Sequence, residues 1–217
     1  AAFAVAAAAA VAYGTKLAID GVKAAIEDEQ AQLRLANALR EATGATDAQI
    51  KATEDMILQT SLATGVADDQ LRPAFQRLAV STKDTVEAQN LLNLALDISK
   101  GRGLELETVA NALGRAQDGN TTALGRLGLG LSKAELSTLS FTEVQAKLSD
   151  LYGGAAAANA ETFQGKIDRL KVGFDEAKES LGVALLPQVE RFIGFLNDTG
   201  IPTLNAFIAG LTGDKGL

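Results

Sequence analysis

The stretch ETFQGKIDRLKVGFDEAKESLGVALLPQVERFIGFL (161–196) decides how the chain is read. Its apolar residues Phe163, Ile167, Leu170, Phe174, Ala177 and Leu181 recur in alternating steps of four and three, the heptad rhythm of a helix with a narrow apolar seam. Between them lie Lys166, Asp168, Arg169, Lys171, Asp175, Glu176, Lys178 and Glu179, a charged face of mixed sign. From Val183 the run turns apolar almost all round and contains Pro187. A proline there removes one backbone donor and clashes with the preceding turn, so a kink or restart is expected near Leu186. Residues 155–198 are therefore read as one long amphipathic helix kinked near Pro187.

Upstream, residues 46–152 break into short helical periods. Capping-box patterns begin at Thr46, Asp84, Ser132 and Ser140, and Gly65, Gly101, Gly119 and Gly153 follow as terminators. No segment alternates strictly in steps of two between hairpin turns, so no sheet is expected. This region reads as a compact bundle of about six short helices. Its expected core includes Ile57, Leu62, Phe75, Leu78, Leu91, Ile98, Val109, Leu113 and Leu148. Residues 1–44 are Ala-rich and helical by propensity, forming either a rod or a helix broken near Gly14 or Gly21. Their opening run is too short and too weakly hydrophobic for a signal peptide or a membrane span. Pro202 opens a last apolar helix over 201–217. The fold class expected is all-α, a compact bundle flanked by long helices, the later one carrying a coiled-coil-like seam.

Composition excludes several functions. A net charge of −7 without a Lys/Arg cluster argues against specific nucleic-acid binding. With no Cys and no His, thiolate sites, the commonest metal ligand and the usual hydrolytic triads are missing. GRLGLGLSKAE (125–135) lacks the Gly-Lys-Ser/Thr ending of a phosphate loop and reads as two helix ends around a turn. The acids Glu27, Asp28 and Glu29, Asp68 and Asp69, and Glu105 and Glu107 read as solvated faces or caps rather than a catalytic pair. No catalytic residue, metal or cofactor is expected.

Two surfaces remain. The seam predicts self-association, most simply a parallel trimer, against the alternative that it lies along the bundle. The apolar end, with Leu185, Leu186, Phe192, Phe195, Leu196 and Phe207, predicts a partner-binding or envelope-facing element, against simple packing onto the bundle. The chain opens with Ala rather than Met, which suggests a segment of a longer polypeptide.

ATGATDAQIKATEDMILQTSLATGVADDQLRPAFQRLAVSTKDTVEAQNLLNLALDISKGRGLELETVANALGRAQDGNTTALGRLG (42–128) and ANAETFQGKIDRLKVGFDEAKESLGVALLPQVERFIGFLND (158–198) resemble the tail tape measure proteins of long-tailed, siphophage-type bacteriophages. The pairing of TFQGKIDRLK with LGVALLP carries the resemblance furthest. It implies a structural virion protein that sets tail-tube length during assembly and assists genome delivery through the cell envelope. The implied locations are the tail lumen and tip, and the host cytoplasm during assembly. The implied partners are copies of itself, tail tube and tail-tip or baseplate proteins, tail assembly chaperones, and the host membrane during ejection. Two other readings stay open on sequence: a cytoplasmic helical scaffold or chaperone-like binding module, and part of a murein-degrading tail enzyme.

Overall fold

The computed structural model describes the backbone of residues 2–195 and the side chains of residues 20–185, with those of Pro187 and Arg191. Every regular element among the described residues is helical. The chain divides into two compact units, one of Glu27–Asp175 and one of Ala1–Ile26 with Glu176–Leu217.

The larger unit begins in the second half of α1 (Ala2–Thr43) and continues through α2 (Asp47–Thr64), α3 (Asp68–Thr82), α4 (Thr85–Arg102) and α5 (Leu106–Gln117). A 3-10 turn (Thr121–Leu127), α6 (Lys133–Thr138), α7 (Phe141–Tyr152), α8 (Ala155–Ala160) and the start of α9 (Phe163–Phe195) complete it. The central element is α4. Ala88, Leu91, Leu92, Leu94, Ala95, Leu96 and Ile98 are all buried, as in a helix surrounded by others. Helices α3, α5, α7 and α8 pack against it, and α3 and α5 against one another. One continuous apolar cluster joins Phe75 and Leu78 of α3 to Leu113 of α5, Ile57 of α2, Leu35 and Leu39 of α1, and Leu148 of α7.

Local chemistry places the helix starts. Thr46, Ser132 and Ser140 each form a full capping box with Gln49, Glu135 and Glu143. Asp84 caps α4 by accepting from the Val86 and Glu87 amides, without the reciprocal bond. Asp97, midway along α4, accepts from the amides of Gly154 at 3.1 Å and Ala156 at 2.9 Å and so starts α8 from another helix.

Several expectations are corrected. Leu62 is 40% exposed, because Ser61 takes the inward position on α2. Gly101 lies inside α4, and the left-handed cap is Gly103 at φ 66°. Of the two forms left open for residues 1–44 the unbroken one is found, with α1 continuous through Gly14 and Gly21. The helix expected over 155–198 is two, because the Thr162 hydroxyl accepts from the Gly165 amide at 3.0 Å and starts α9 afresh. Nor does α9 restart at Pro187; it runs through that exposed residue, where a displaced carbonyl can turn to water. The compact unit extends past 46–152 at both ends, since α1 supplies core leucines and the start of α9 meets the end of α2.

In the smaller unit α1 and α9 meet at paired glycines. A Cβ on Gly21 would sit 2.8 Å from the Lys178 carbonyl oxygen, and one on Gly182 would collide with the Gly21 carbonyl. Gly21 thus serves a backbone contact rather than a break. Among the described residues no helix is long and apolar enough to cross a membrane. The terminal helix expected over 201–217 lies outside the described residues.

Phe75→Ala and Leu113→Ala, both at positions with no exposure, should each lower unfolding free energy by about 2–5 kcal/mol in urea denaturation. Leu62→Ala should cost no more than about 0.5 kcal/mol, as expected away from the core.

Candidate functional site

Helix α9 packs onto the larger unit by the wrong face for an amphipathic helix. At 100° per residue, Phe163, Ile167, Leu170 and Phe174 fall within about 60° of one another. They are 81%, 43%, 75% and 59% exposed. The opposite side carries Gly165 and Val172, both buried, flanked by half-buried Asp168 and Arg169. The seam therefore faces outward, and does not lie along the bundle.

Backbone proximity holds this orientation. Gly65 ends α2 in the left-handed conformation, φ 69°, and a Cβ there would meet the Arg169 amide nitrogen at 2.8 Å. Two demands thus converge on a residue without a side chain. Beside it, Arg169 Nε donates at 3.2 Å to the Leu62 carbonyl in the last turn of α2. A cation at that end meets both an orphan carbonyl and the negative pole of the helix. At the near end of α9, a Cβ on Gly165 would collide with the Asn159 carbonyl. Burying a large apolar side chain fully contributes about 1.5–3 kcal/mol. Four of them in one stripe are left to solvent, the pattern that marks contact surfaces.

The remaining predicted positions follow the same trend in the smaller unit. Ala177 is exposed and Leu181 is 45% exposed. Leu185 is half-buried and Pro187 exposed. Leu186, Phe192 and Phe195 lie on α9 but their side chains, like all of Leu196 and Phe207, lie outside the described residues.

A second constellation escaped the sequence reading. Arg72, with its side chain 8% exposed, is ion-paired to Asp28 at 2.7 Å, Glu54 at 2.9 Å and Asp68 at 2.5 Å. One guanidinium so ties α1, α2 and α3. Asp28 and Asp68 are thus not solvated faces or caps. Burial pushes the Asp28 and Glu54 carboxyls above their ordinary range, against the pull of Arg72. Burial and the neighbouring Asp68 raise Asp69 likewise. Asp28 Oδ1, though 2.7 Å from the guanidinium, and Glu54 Oε1 are both buried without a hydrogen-bond partner. The adjacent cavity, lined by Ala31, Arg34, Asp69, Arg72, Pro73 and Gln76, measures about 90 Å³. That is room for a few waters rather than for a sugar or peptide substrate. Glu105 and Glu107, in contrast, are exposed at the start of α5.

A larger cavity of about 520 Å³ opens between the 3-10 turn and α6, lined by Thr122, Gly125, Arg126, Leu131, Lys133, Leu136 and Ser137. The Gly-rich stretch forms that turn and the start of α6, with Thr121 donating its hydroxyl to the Leu136 carbonyl. No family model, curated protein or solved structure matches the chain.

The Arg72 centre has a signed pH dependence. Asp28, Glu54 and Asp69 hold protons more tightly folded than unfolded, so their contribution falls as pH rises through their raised values. Asp118, Glu143 and Glu135 oppose it: hydrogen bonds from Arg77, Ser140 and Lys147 respectively hold them low, Glu135 at about 2, so their contribution is lost as pH falls. Asp28→Asn should raise the urea midpoint near pH 7 and reduce its fall as pH rises past the ordinary carboxylate range. Arg72→Met should instead cost about 3–5 kcal/mol by leaving buried carboxylates unpaired.

Proposed function

We propose that this chain is a helical segment of a tail tape measure protein of a long-tailed bacteriophage, acting through contacts and length rather than through catalysis. The observation that carries the reading is the outward seam of α9. The helix gives its small and polar face to its own bundle and keeps its aromatic and aliphatic stripe for something else. That arrangement suits a protein whose work is to hold neighbouring helices. Helix α1, 42 residues without a break, supports the same reading, since it spans about 60 Å at 1.5 Å per residue. The resemblance of 42–128 and 158–198 to tape measure proteins supplies the biological setting.

In this setting the protein lies in the tail lumen and at the tip, sets tube length during assembly, and assists genome delivery through the envelope. Its partners are other tail proteins, including tube and tip or baseplate components, and assembly chaperones in the host cytoplasm. The apolar end beyond 195 meets the host membrane during ejection. The net charge of −7 suits a filament that shares its channel with DNA, because like charge discourages adhesion.

In a phage whose tail contains this chain, an in-frame duplication of α1, 42 residues, should lengthen the tail by about 60 Å in electron micrographs. Viable particles with tails of unchanged length would overturn the ruler reading.

A further inference from the structure

We infer that the seam of α9 is the docking site of an amphipathic helix from a different protein, one whose apolar stripe is flanked by Glu or Asp. The inference rests on the reading of α9 as a contact surface and names what covers it. The steps of four and three place Ile167 and Phe174 at heptad position a, and Phe163 and Leu170 at d. The flanking positions then follow: Gln164 and Lys171 at e, Lys166 and Gly173 at g. These are the positions that meet a partner helix across the seam and set its identity.

Spacing alone predicts a parallel trimer of this chain, but the flanks point elsewhere. In a parallel pair, g of one helix faces e five residues on in the other, so Lys166 would face Lys171 of a second copy. Antiparallel pairing offers nothing better, since no e or g position of this stretch carries an acid and no register yields an opposite-charge pair. The acids Asp168 and Asp175 occupy b, away from the seam, and Asp168 accepts a bond from Gln164 at 2.8 Å. Both flanking lysines are exposed. Lys166 has Glu161 at 3.7 Å, with the two side chains 59% and 71% exposed, a solvated contact that a carboxylate across the seam can replace at small cost. Arg169, on the other side of the helix, is already engaged by the Leu62 carbonyl and Glu161. A chain that is acidic overall thus presents an apolar stripe edged only by positive or neutral residues, and complementarity selects an acidic-edged helix.

The test uses the full chain and synthetic helical peptides of a few heptads, followed by fluorescence anisotropy at low and high salt. One peptide carries Leu at a and d with Glu at e and g, a second replaces Glu by Lys, and a third keeps Glu but has Ser at a and d. The Glu-edged Leu peptide should bind about tenfold or more tighter than the Lys-edged one, and added salt should narrow the gap. The Ser peptide should not bind. The double variant Lys166→Glu with Lys171→Glu should reverse the preference, and Ile167→Asp, at an exposed position, should abolish binding with an unchanged melting curve. Equal binding of the two Leu peptides, or binding of the Ser peptide, would overturn the inference. So would concentration-dependent self-association in sedimentation that Ile167→Asp removes; the contact surface would then stand and its partner would be a second copy. If no peptide binds and the chain stays monomeric, the reading of α9 as a contact surface fails along with it.

Discussion

Arg72 is the residue on which the arrangement of the first three helices depends. Its guanidinium, almost without exposure, draws in one carboxylate from each of α1, α2 and α3. One positive charge among three negative ones is not a neutral pair, and burial, with the neighbouring acids adding to it, raises Asp28 and Glu54 against the pull of Arg72. A cluster of this kind contributes little net free energy compared with apolar packing of equal volume. What it does specify is register: only one sliding position of α1 along α2 and α3 brings all three acids within reach of one planar fork. The apolar cluster of Leu35, Leu39, Ile57, Leu71 and Phe75 then packs without frustration around that register.

The second constraint is spatial. Where α9 crosses the end of α2, the Arg169 amide occupies the place that a Cβ on Gly65 would take, so the helix is set by main chain and a hydrogen-bonding cation rather than by an apolar ridge. That choice leaves the aromatic stripe free. Around Gly21 and Gly182 the same device recurs in the smaller unit, again with glycine at the point of closest approach. Gly21, Gly165 and Gly182, which would weaken a helix in isolation, are here places where helices touch.

Much of the fold was legible from residue chemistry of short range. The starts at Thr46, Ser132 and Ser140 follow from a hydroxyl three residues before a Gln or Glu, a pattern complete within one turn. Core positions such as Phe75, Leu91 and Leu113 follow from helical spacing. What escaped depends on elements far apart in the chain. Asp97 starting α8 is invisible without knowing that α4 runs beside it. Leu62 and Ser61 exchange roles through a rotation of α2 that its own spacing leaves undetermined. Asp28, Glu54 and Asp68 look like ordinary surface acids until Arg72 is placed among them. The seam itself was legible, but which way it faces was not: heptad spacing describes a face, and Gly65 and Gly165 decide where it turns. The Thr162 cap was a local signal and was missed because the charged run around it continues in helical period.

The apolar cluster of the larger unit draws residues from α1 through α8 and none from α9. Val172 is the one large apolar side chain that the first turns of α9 bury. Under tension applied to the chain beyond α9, the helix would peel away turn by turn. Each step would give up a carbonyl bond or a glycine contact while the interior of the bundle remained shut. Little apolar surface would be uncovered in doing so, because the buried cluster lies within α1 to α8.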